Sequence, residues 1–464
     1  MPELRRQTRV EVSAQALDAW HRCPGAFDRL VPPWQDVRVR ERPAHLGGGE
    51  RLVMDIHGGP ASVRWVAEHE DLDDGLGFRD TQVQGPFGRW IHTHRFVEAG
   101  AEHSLLRDHV DYELPFQRLS LGLAGRVAGG PVRTQLERMF DFRHERTRHD
   151  LERQSAFDMP ASRIVVSGAT GLLGTATCAF LSCGDHQIDR LVRAGTDRSE
   201  APLHGSRGIE WDPGAGQIDD AALEGADAVV HLAGENVIGI RWTDEKKRAI
   251  RESRVQGTRT LCEALARLEN PPRVVVSASA VGYYGDRDDP VDESADPGSD
   301  FLAEVCRDWE AATAPAAEAG IRVVHLRLGV VLSASGGALA LAAPIFRAGL
   351  GGRIGDGATP FPWVARDDAI YILARALADD SLEGPVNVVA PATATIGDFS
   401  AAMGSVLSRP TALRIPEFPV RTALGEMATE VLSGAPVVPT KLRRAGYIHA
   451  FPDLEAALRF ELGA

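Results

Sequence analysis

Lysine is scarce in this chain: of 51 basic residues only Lys246, Lys247 and Lys441 are not arginine. Basic residues are also outnumbered by 65 acidic ones, and the formal net charge is −14. A dedicated nucleic-acid binder normally carries a basic excess, so that class is disfavoured. No run of 18 apolar residues exists, which excludes a transmembrane helix. Residues 1–12 contain no apolar core of the kind a signal peptide needs. The five cysteines (Cys23, Cys178, Cys183, Cys262, Cys306) form no C-x-x-C pair, so reduced thiols and a cytoplasmic location are expected. What is present is ordinary globular material: 44% hydrophobic and 25% charged residues over 464 positions, enough for two to four domains.

The two ends of the chain differ. Ten of the 15 histidines fall within residues 1–150, whereas most of the net negative charge lies beyond. The charge run His144–Gln154 reads as a solvated helix end leading into a linker over 151–161. An apolar strand then opens at Arg163, giving domains at 1–150 and 162–464, with a smaller substrate lobe over about 384–464.

In the first domain, alternation predicts strands at 8–12, 50–57, 61–69, 76–84, 89–97 and 103–112, and Ser13 caps a helix carrying Leu17 and Trp20. A second helical pattern starts at Pro131. Within 89–97, Trp90, His92, His94 and Phe96 share one strand face. That face suits either the lining of a pocket for a partly apolar ligand or a packed sheet face. The spacing of His92 and His94, with His103 or His109 nearby in sequence, brings no acidic or cysteine ligand to complete a set, so no metal site is expected.

The runs Trp20–Phe27, Leu30–Trp34, Gly85–His92 and Met139–His144 resemble the polyketide-cyclase/START-like (SRPBCC) module that precedes certain atypical short-chain dehydrogenases. The resemblance implies an α+β helix-grip fold, in which a long C-terminal helix closes a curved antiparallel sheet around a hydrophobic cavity; it does not imply the ligand, and a hydrophobic one is the expectation.

The second domain opens with Ile164-Val-Val-Ser-Gly-Ala-Thr-Gly-Leu-Leu-Gly174, an apolar strand, a glycine-rich turn and a helix. In a dinucleotide fold Gly168 permits the tight turn, Gly171 lets backbone approach a pyrophosphate, and Gly174 lets helix and strand pack closely. The free N–H groups of the helix start then face the phosphates. Arg193 ends the next strand, where an acidic residue would read the ribose 2′-hydroxyl of NAD; arginine suits a 2′-phosphate, so NADP(H) is expected, with NAD(H) second. Later alternation of strands and helices fits a doubly wound parallel α/β sheet of Rossmann type.

The runs Gly168–Gly174, His231–Asn236, Ser277–Gly285, Arg327–Leu332 and Trp363–Asp368 resemble the atypical extended short-chain dehydrogenase/reductases, in the sugar-nucleotide epimerase-like or "cell-division-inhibitor-like" branch. By that resemblance Gly168, Thr170, Gly171, Leu172, Leu173 and Gly174 hold the pyrophosphate. His231, Leu232, Ala233, Gly234 and Glu235 form the strand end beside it, followed by Ser277 and Ala278. Ser279 falls at the serine that hydrogen-bonds the reacting carbonyl or hydroxyl. The Tyr-x-x-x-Lys pair is not there: Leu302 and Cys306 occupy its positions, and Arg254 replaces the usual asparagine. Two readings stay open. The site uses another set, drawing on Tyr283 or Tyr284, Glu235 and Arg254, with Trp242 on the substrate side; or the domain binds NADP(H) without turnover. An NAD(P)-dependent oxidoreductase or epimerase acting on a small-molecule carbonyl or hydroxyl substrate is the favoured expectation.

Overall fold

The computed structural model of the protein describes residues 2–43, 46, 48–59, 61–114, 123–157, 159–193, 206–237 and 242–464. The chain divides into two compact units: residues 1–158 with Ser182–Gly184 and Gly463, and the remainder.

The first unit begins with β1 (Glu3–Val10), α1 (Ala14–Arg22) and α2 (Ala26–Leu30). Five hairpin-connected strands follow β2 (Asp36–Glu41): β3 (Glu50–Gly58), β4 (Ala61–Asp71), β5 (Gly77–Gln84), β6 (Arg89–Gly100) and β7 (His103–Glu113). The long helix α3 (Leu123–Phe157) ends the unit. All seven strands join one antiparallel sheet in the order β1-β7-β6-β5-β4-β3-β2. Ser13 caps α1 as its position suggests, accepting a hydrogen bond from the Ala16 amide. Alternation along β6 is regular, with Trp90, His92, His94 and Phe96 all buried on one face. Leu136, Met139 and Phe140 of α3 pack on that face with Trp65, Trp90, Val110 and Tyr112.

Two sequence expectations are corrected here. The charge run His144–Gln154 is not a solvated helix end, because His144, Arg146, Thr147, His149 and Asp150 are buried. Asp150 receives Nε and Nη2 of Arg29 at 2.7 and 2.6 Å, and this ion pair is excluded from water. Composition cannot distinguish a charged face in water from one that finds opposite charge across a fold. Nor are all five cysteines free: Cys23 and Cys183 form a disulfide, 160 residues apart in sequence, while Cys178, Cys262 and Cys306 are buried thiols.

The second unit carries β8 (Arg163–Ser167), α4 (Leu172–Ser182), β9 (Gln187–Arg193), β10 (Arg207–Asp212), β11 (Gln217–Ile218), α5 (Asp220–Leu223), β12 (Ala228–His231), α6 (Asp244–Ala266), β13 (Val274–Ala280), α7 (Phe301–Ala311), α8 (Ala314–Glu318) and β14 (Arg322–Leu328). Its main sheet runs β11-β10-β9-β8-β12-β13-β14, followed by the strand Gly384–Val388, and is parallel apart from β11. The chain winds outward in one direction from β8 to β9 and in the other from β12. The crevice between β8 and β12 is therefore the topological switch point at which doubly wound sheets bind ligands. Asp368, in the run Trp363–Asp368, is buried and accepts hydrogen bonds from the amides of Ala450 and Phe451 and the hydroxyl of Tyr447, pinning the C-terminal segment to this unit. Among the described residues no helix is long and apolar enough to cross a membrane.

Breaking a buried ion pair leaves one charge without a partner in a dry interior. Asp150→Asn is expected to cost the first unit about 3–5 kcal/mol, read as a lowered urea midpoint of the transition that removes the α3 packing signal. A loss below about 1 kcal/mol would mean that Arg29 finds other compensation.

Candidate active site

The turn after β8 is built by steric exclusion. Gly168 has φ +67°, and a Cβ there would lie 2.7 Å from the carbonyl of Leu232 and 2.8 Å from the nitrogen of Ala233. A Cβ on Gly174 would come within 2.0 Å of the Gly168 carbonyl oxygen. Gly171 donates its amide to that same oxygen at 2.9 Å, closing the turn. Thr170 and Gly171 are exposed, Leu172 and Leu173 are half-buried, and Gly174 is buried where α4 meets the strand. The first-turn amides of α4 thus open onto the crevice, as an anion site requires.

One row of the sheet holds the other wall. Ser167, His231 and Ser277 are register partners across β8, β12 and β13. Ser167 Oγ accepts the amides of Leu232 at 3.1 Å and Ala233 at 3.3 Å, so its own hydrogen points to His231 Nδ1, 2.7 Å away. His231 Nε2 then carries the ring proton toward Thr258 Oγ1 at 2.9 Å. Burial lowers the pKa of His231 to about 4, so the ring is neutral and structural. It fixes the path of Leu232, Ala233 and Gly234. Ser277 donates to the Ala278 carbonyl, and both are buried in β13.

Glu235 and Arg254 stand beyond this strand end. The Glu235 carboxylate meets Lys246 Nζ at 2.5 Å, and its amide donates to Ser253 Oγ. Arg254 donates from Nη1 to the carbonyls of Glu235 (2.9 Å) and Ile250 (3.2 Å), and its guanidinium lies 5.0 Å from the Trp309 ring centre. Burial lowers its pKa. Trp242 is half-buried, donates its indole N–H to the Val237 carbonyl and packs edge-on against Phe301. Arg193 is exposed at the end of β9, where its backbone pairs in register with Trp211 of β10.

Around Ser279 the structure assembles a group that sequence spacing does not reveal. Ser279 and Arg327 are register partners on β13 and β14. Between them stands Glu310 of α7, which accepts the Ser279 hydroxyl at 2.7 Å and two guanidinium bonds from Arg327 at 2.8 Å each. Burial alone would lower the pKa of Arg327, but the Glu310 bonds and charge outweigh it, so the pKa rises and the side chain stays cationic. Arg327 lies 3.5 Å above the ring centre of Tyr283 and donates to the hydroxyl of Tyr284 at 2.9 Å. Tyr284 is fully buried, and its hydroxyl donates to Asn387 at 2.6 Å. Burial pushes its pKa up to about 12. Tyr283 is half-buried. Leu302 packs near Gly282, and Cys306 is buried on α7. Ser279 is buried, and neither it nor Glu310 nor Arg327 lines the cleft of about 570 Å³ formed by Asp286, Arg287, Ser299, Asp300 and Arg421 among others.

Comparison with known proteins matches this arrangement to a family. Residues 164–389 match the model of the NAD dependent epimerase/dehydratase family. An epimerase family protein of Mycobacterium bovis is 41% identical over 286 residues, covering 61% of this chain and 92% of that protein. The chain belongs to the epimerase/dehydratase family. Residues 12–140 match the model for polyketide cyclase/dehydrase and lipid transport, and residues 415–461 match a domain of unknown function, DUF1731. The crystal structure of a nucleoside-diphosphate sugar epimerase from Corynebacterium glutamicum is similar over 99% of this chain and 90% of that one, with a TM-score of 0.79 at 32% identity. A human epimerase family protein, solved with NADPH, is also 32% identical, covering 65% of this chain and 99% of that one at a TM-score of 0.58. The two-module architecture of this family member is thus shared along nearly the whole Corynebacterium chain.

A histidine whose folded pKa lies below its unfolded value stabilises above about pH 6.5 and loses that contribution as pH falls toward its folded value. For His231, a drop from 6.5 to about 4 corresponds to about 3 kcal/mol between those limits. His231→Gln is expected to flatten the acid limb of the second unit's urea midpoint over this window. An unchanged limb would place the acid sensitivity on other groups.

Proposed function

We propose that the second unit binds NADP(H) and carries out redox or epimerase chemistry on a carbonyl or hydroxyl substrate, with Ser279, Glu310 and Arg327 standing in for the missing Tyr-x-x-x-Lys set. The observation that carries this reading is the glycine turn: at Gly168 and Gly174 a Cβ would overlap backbone, which fixes the tight turn and the seating of α4 on β8, and Gly171 between them is exposed where a pyrophosphate would approach. The NADPH in the human relative supports the nucleotide, and Arg193, exposed at the end of β9, supports its phosphorylated form.

Bound nicotinamide supplies a hydride acceptor or donor. The protein's part is proton handling. Because Ser279 gives its hydrogen to Glu310, its lone pairs are free to accept one from a substrate hydroxyl. As that hydroxyl becomes a carbonyl, its carbon loses a hydride and its oxygen loses a proton to Ser279, whose own proton passes to Glu310. Arg327 holds the Glu310 carboxylate in line through two bonds. Reduction runs the same transfers backwards. A nucleoside-diphosphate sugar is the first substrate class to try, given what the Corynebacterium relative is called. A second reading, nucleotide binding without turnover, is favoured by Leu302 and Cys306 at the expected Tyr and Lys positions.

Calorimetric titration is expected to show NADPH binding more tightly than NADH. Removing a hydrogen-bonding partner of a charged group costs about 1.5–3 kcal/mol, so Arg193→Ala should weaken NADPH about 10–100-fold and leave NADH unchanged. If neither nucleotide binds, the cofactor assignment fails. Ser279→Ala should lower substrate-dependent change in nicotinamide absorbance about 10²–10⁴-fold with NADPH affinity intact. Absence of any such change in the wild type over carbonyl and sugar-nucleotide panels would favour binding without turnover.

A further inference from the structure

We propose that Asp80, His92 and His94, inside the first unit, bind one divalent first-row transition-metal ion, with Asp108 orienting both imidazoles from behind.

The sheet register builds the group. His69 stands opposite Asp80 between β4 and β5, Asp80 opposite His92 between β5 and β6, and His94 opposite Asp108 between β6 and β7. Four adjacent strands therefore put three imidazoles and two carboxylates on the covered face of the sheet. One donor atom each from Asp80, His92 and His94 fall within 4.8 Å of one another. Tetrahedral ligands at about 2.0–2.1 Å from a zinc-type ion stand about 3.3 Å apart. Asp80 Oδ2 lies 2.8 Å from His92 Nδ1 and 3.7 Å from His94 Nε2, bracketing that separation.

The outer atoms are on the right sides. The opposite ring nitrogens, His92 Nε2 and His94 Nδ1, lie 3.5 and 2.8 Å from a single oxygen, Oδ1 of Asp108. Ligating histidines characteristically have a carboxylate beside their second nitrogen, although neither contact here is aligned as a hydrogen bond. The second oxygen of Asp108 meets His144 Nε2 at 3.0 Å, and His144 Nδ1 meets Thr8 Oγ1 at 2.9 Å. Trp90 donates its indole N–H to Asp80 Oδ1 at 3.1 Å, which leaves Oδ2 to the ion.

Two observations argue against a plain hydrogen-bonded core. His92 Nε2, His94 Nδ1 and Asp108 Oδ1 are buried and satisfy no hydrogen bond despite their proximity, and His69 Nδ1 is likewise unpartnered. Arg143 faces both carboxylates, and the remaining negative charge would otherwise have to be balanced by protonating imidazoles whose centres are 3.9 Å apart. A divalent ion supplies that balance with neutral rings. Two histidines and one carboxylate leave a coordination position for water or a ligand oxygen.

The test uses the full chain, stripped with a chelator and dialysed, then titrated with Co²⁺ and with Zn²⁺. Wild type is expected to take up one equivalent, with visible d–d bands for Co²⁺ and displacement by Zn²⁺. His92→Ala and His94→Ala should each abolish stoichiometric uptake, and Asp108→Asn should weaken it about 10–100-fold. Wild type that keeps its circular dichroism spectrum but binds neither ion stoichiometrically overturns the proposal, as does a folded His92→Ala variant that binds as wild type does. The wild-type titration decides the matter even where a variant fails to fold.

Discussion

The carbonyl oxygen of Gly168 occupies the place where a side chain on Gly174 would begin. A Cβ there would stand 2.0 Å from it, a separation no folded chain tolerates. This contact brings the start of α4 against the end of β8, and much of the second unit's site geometry follows. With α4 in place, its first amides face the crevice between β8 and β12. The other wall must then stay at a fixed distance, because a Cβ on Gly168 would strike Leu232 and Ala233. Ser167, one residue before the turn, meets that requirement by accepting both amides and locking His231 behind them. A single steric constraint thus passes through one hydroxyl and one neutral imidazole to the whole strand end.

Both units also take charge out of water, and both do so with opposite charge or backbone donors in contact. Arg29 and Asp150 do this between α2 and α3, Arg327 and Glu310 at the strand ends of the second sheet, and Asp368 through two backbone amides and a tyrosine. An isolated buried charge costs several kcal/mol, so each pair fixes the relative position of the elements that carry it. Arg29–Asp150 holds a helix against a helix, which is a packing role. Glu310 differs because a third group, the buried Ser279 near the end of β13, shares its carboxylate. The carboxylate–imidazole row of the first unit differs in another way, since several of its polar atoms converge without being satisfied.

The periodic parts of this molecule are legible in its sequence. Strands β3 to β7 fall within a few residues of the alternating segments, and Ser13 caps α1 where a cap is expected. The glycine turn is legible because its three residues are local and each answers a local steric need. What escapes depends on partners brought from afar. Asp80 lies twelve residues from His92, outside any ligand spacing motif, and reaches it only through the register of β5 on β6. Glu310 and Arg327 read as an ordinary helical acid and an ordinary strand arginine until β13 and β14 pair. The charge run of α3 misleads for the same reason, since Arg29 sits 121 residues from Asp150. The helix α3 begins at Leu123, well before Pro131, and that start is not legible because Gly129, Gly130 and Pro131 offer no apolar periodicity to read.

The absent tyrosine and lysine bear on direction as well as on identity. In the usual set a tyrosine hydroxyl donates toward a carbonyl or accepts from a hydroxyl, and a nearby lysine eases its ionisation. Neither tyrosine beside Ser279 is free for that role. Tyr284 is buried and bonded to Asn387 and Arg327, and the Tyr283 ring lies beneath the Arg327 guanidinium. In the proposed arrangement Ser279 rests with its hydrogen on Glu310 and offers only lone pairs outward. A substrate hydroxyl matches that resting state directly. A substrate carbonyl matches it only after the serine hydrogen swings away and gives up a hydrogen bond to a carboxylate, a loss of about 1.5–3 kcal/mol. The hydroxyl form is therefore the better partner for the site at rest, which makes oxidation the step the geometry is prepared for.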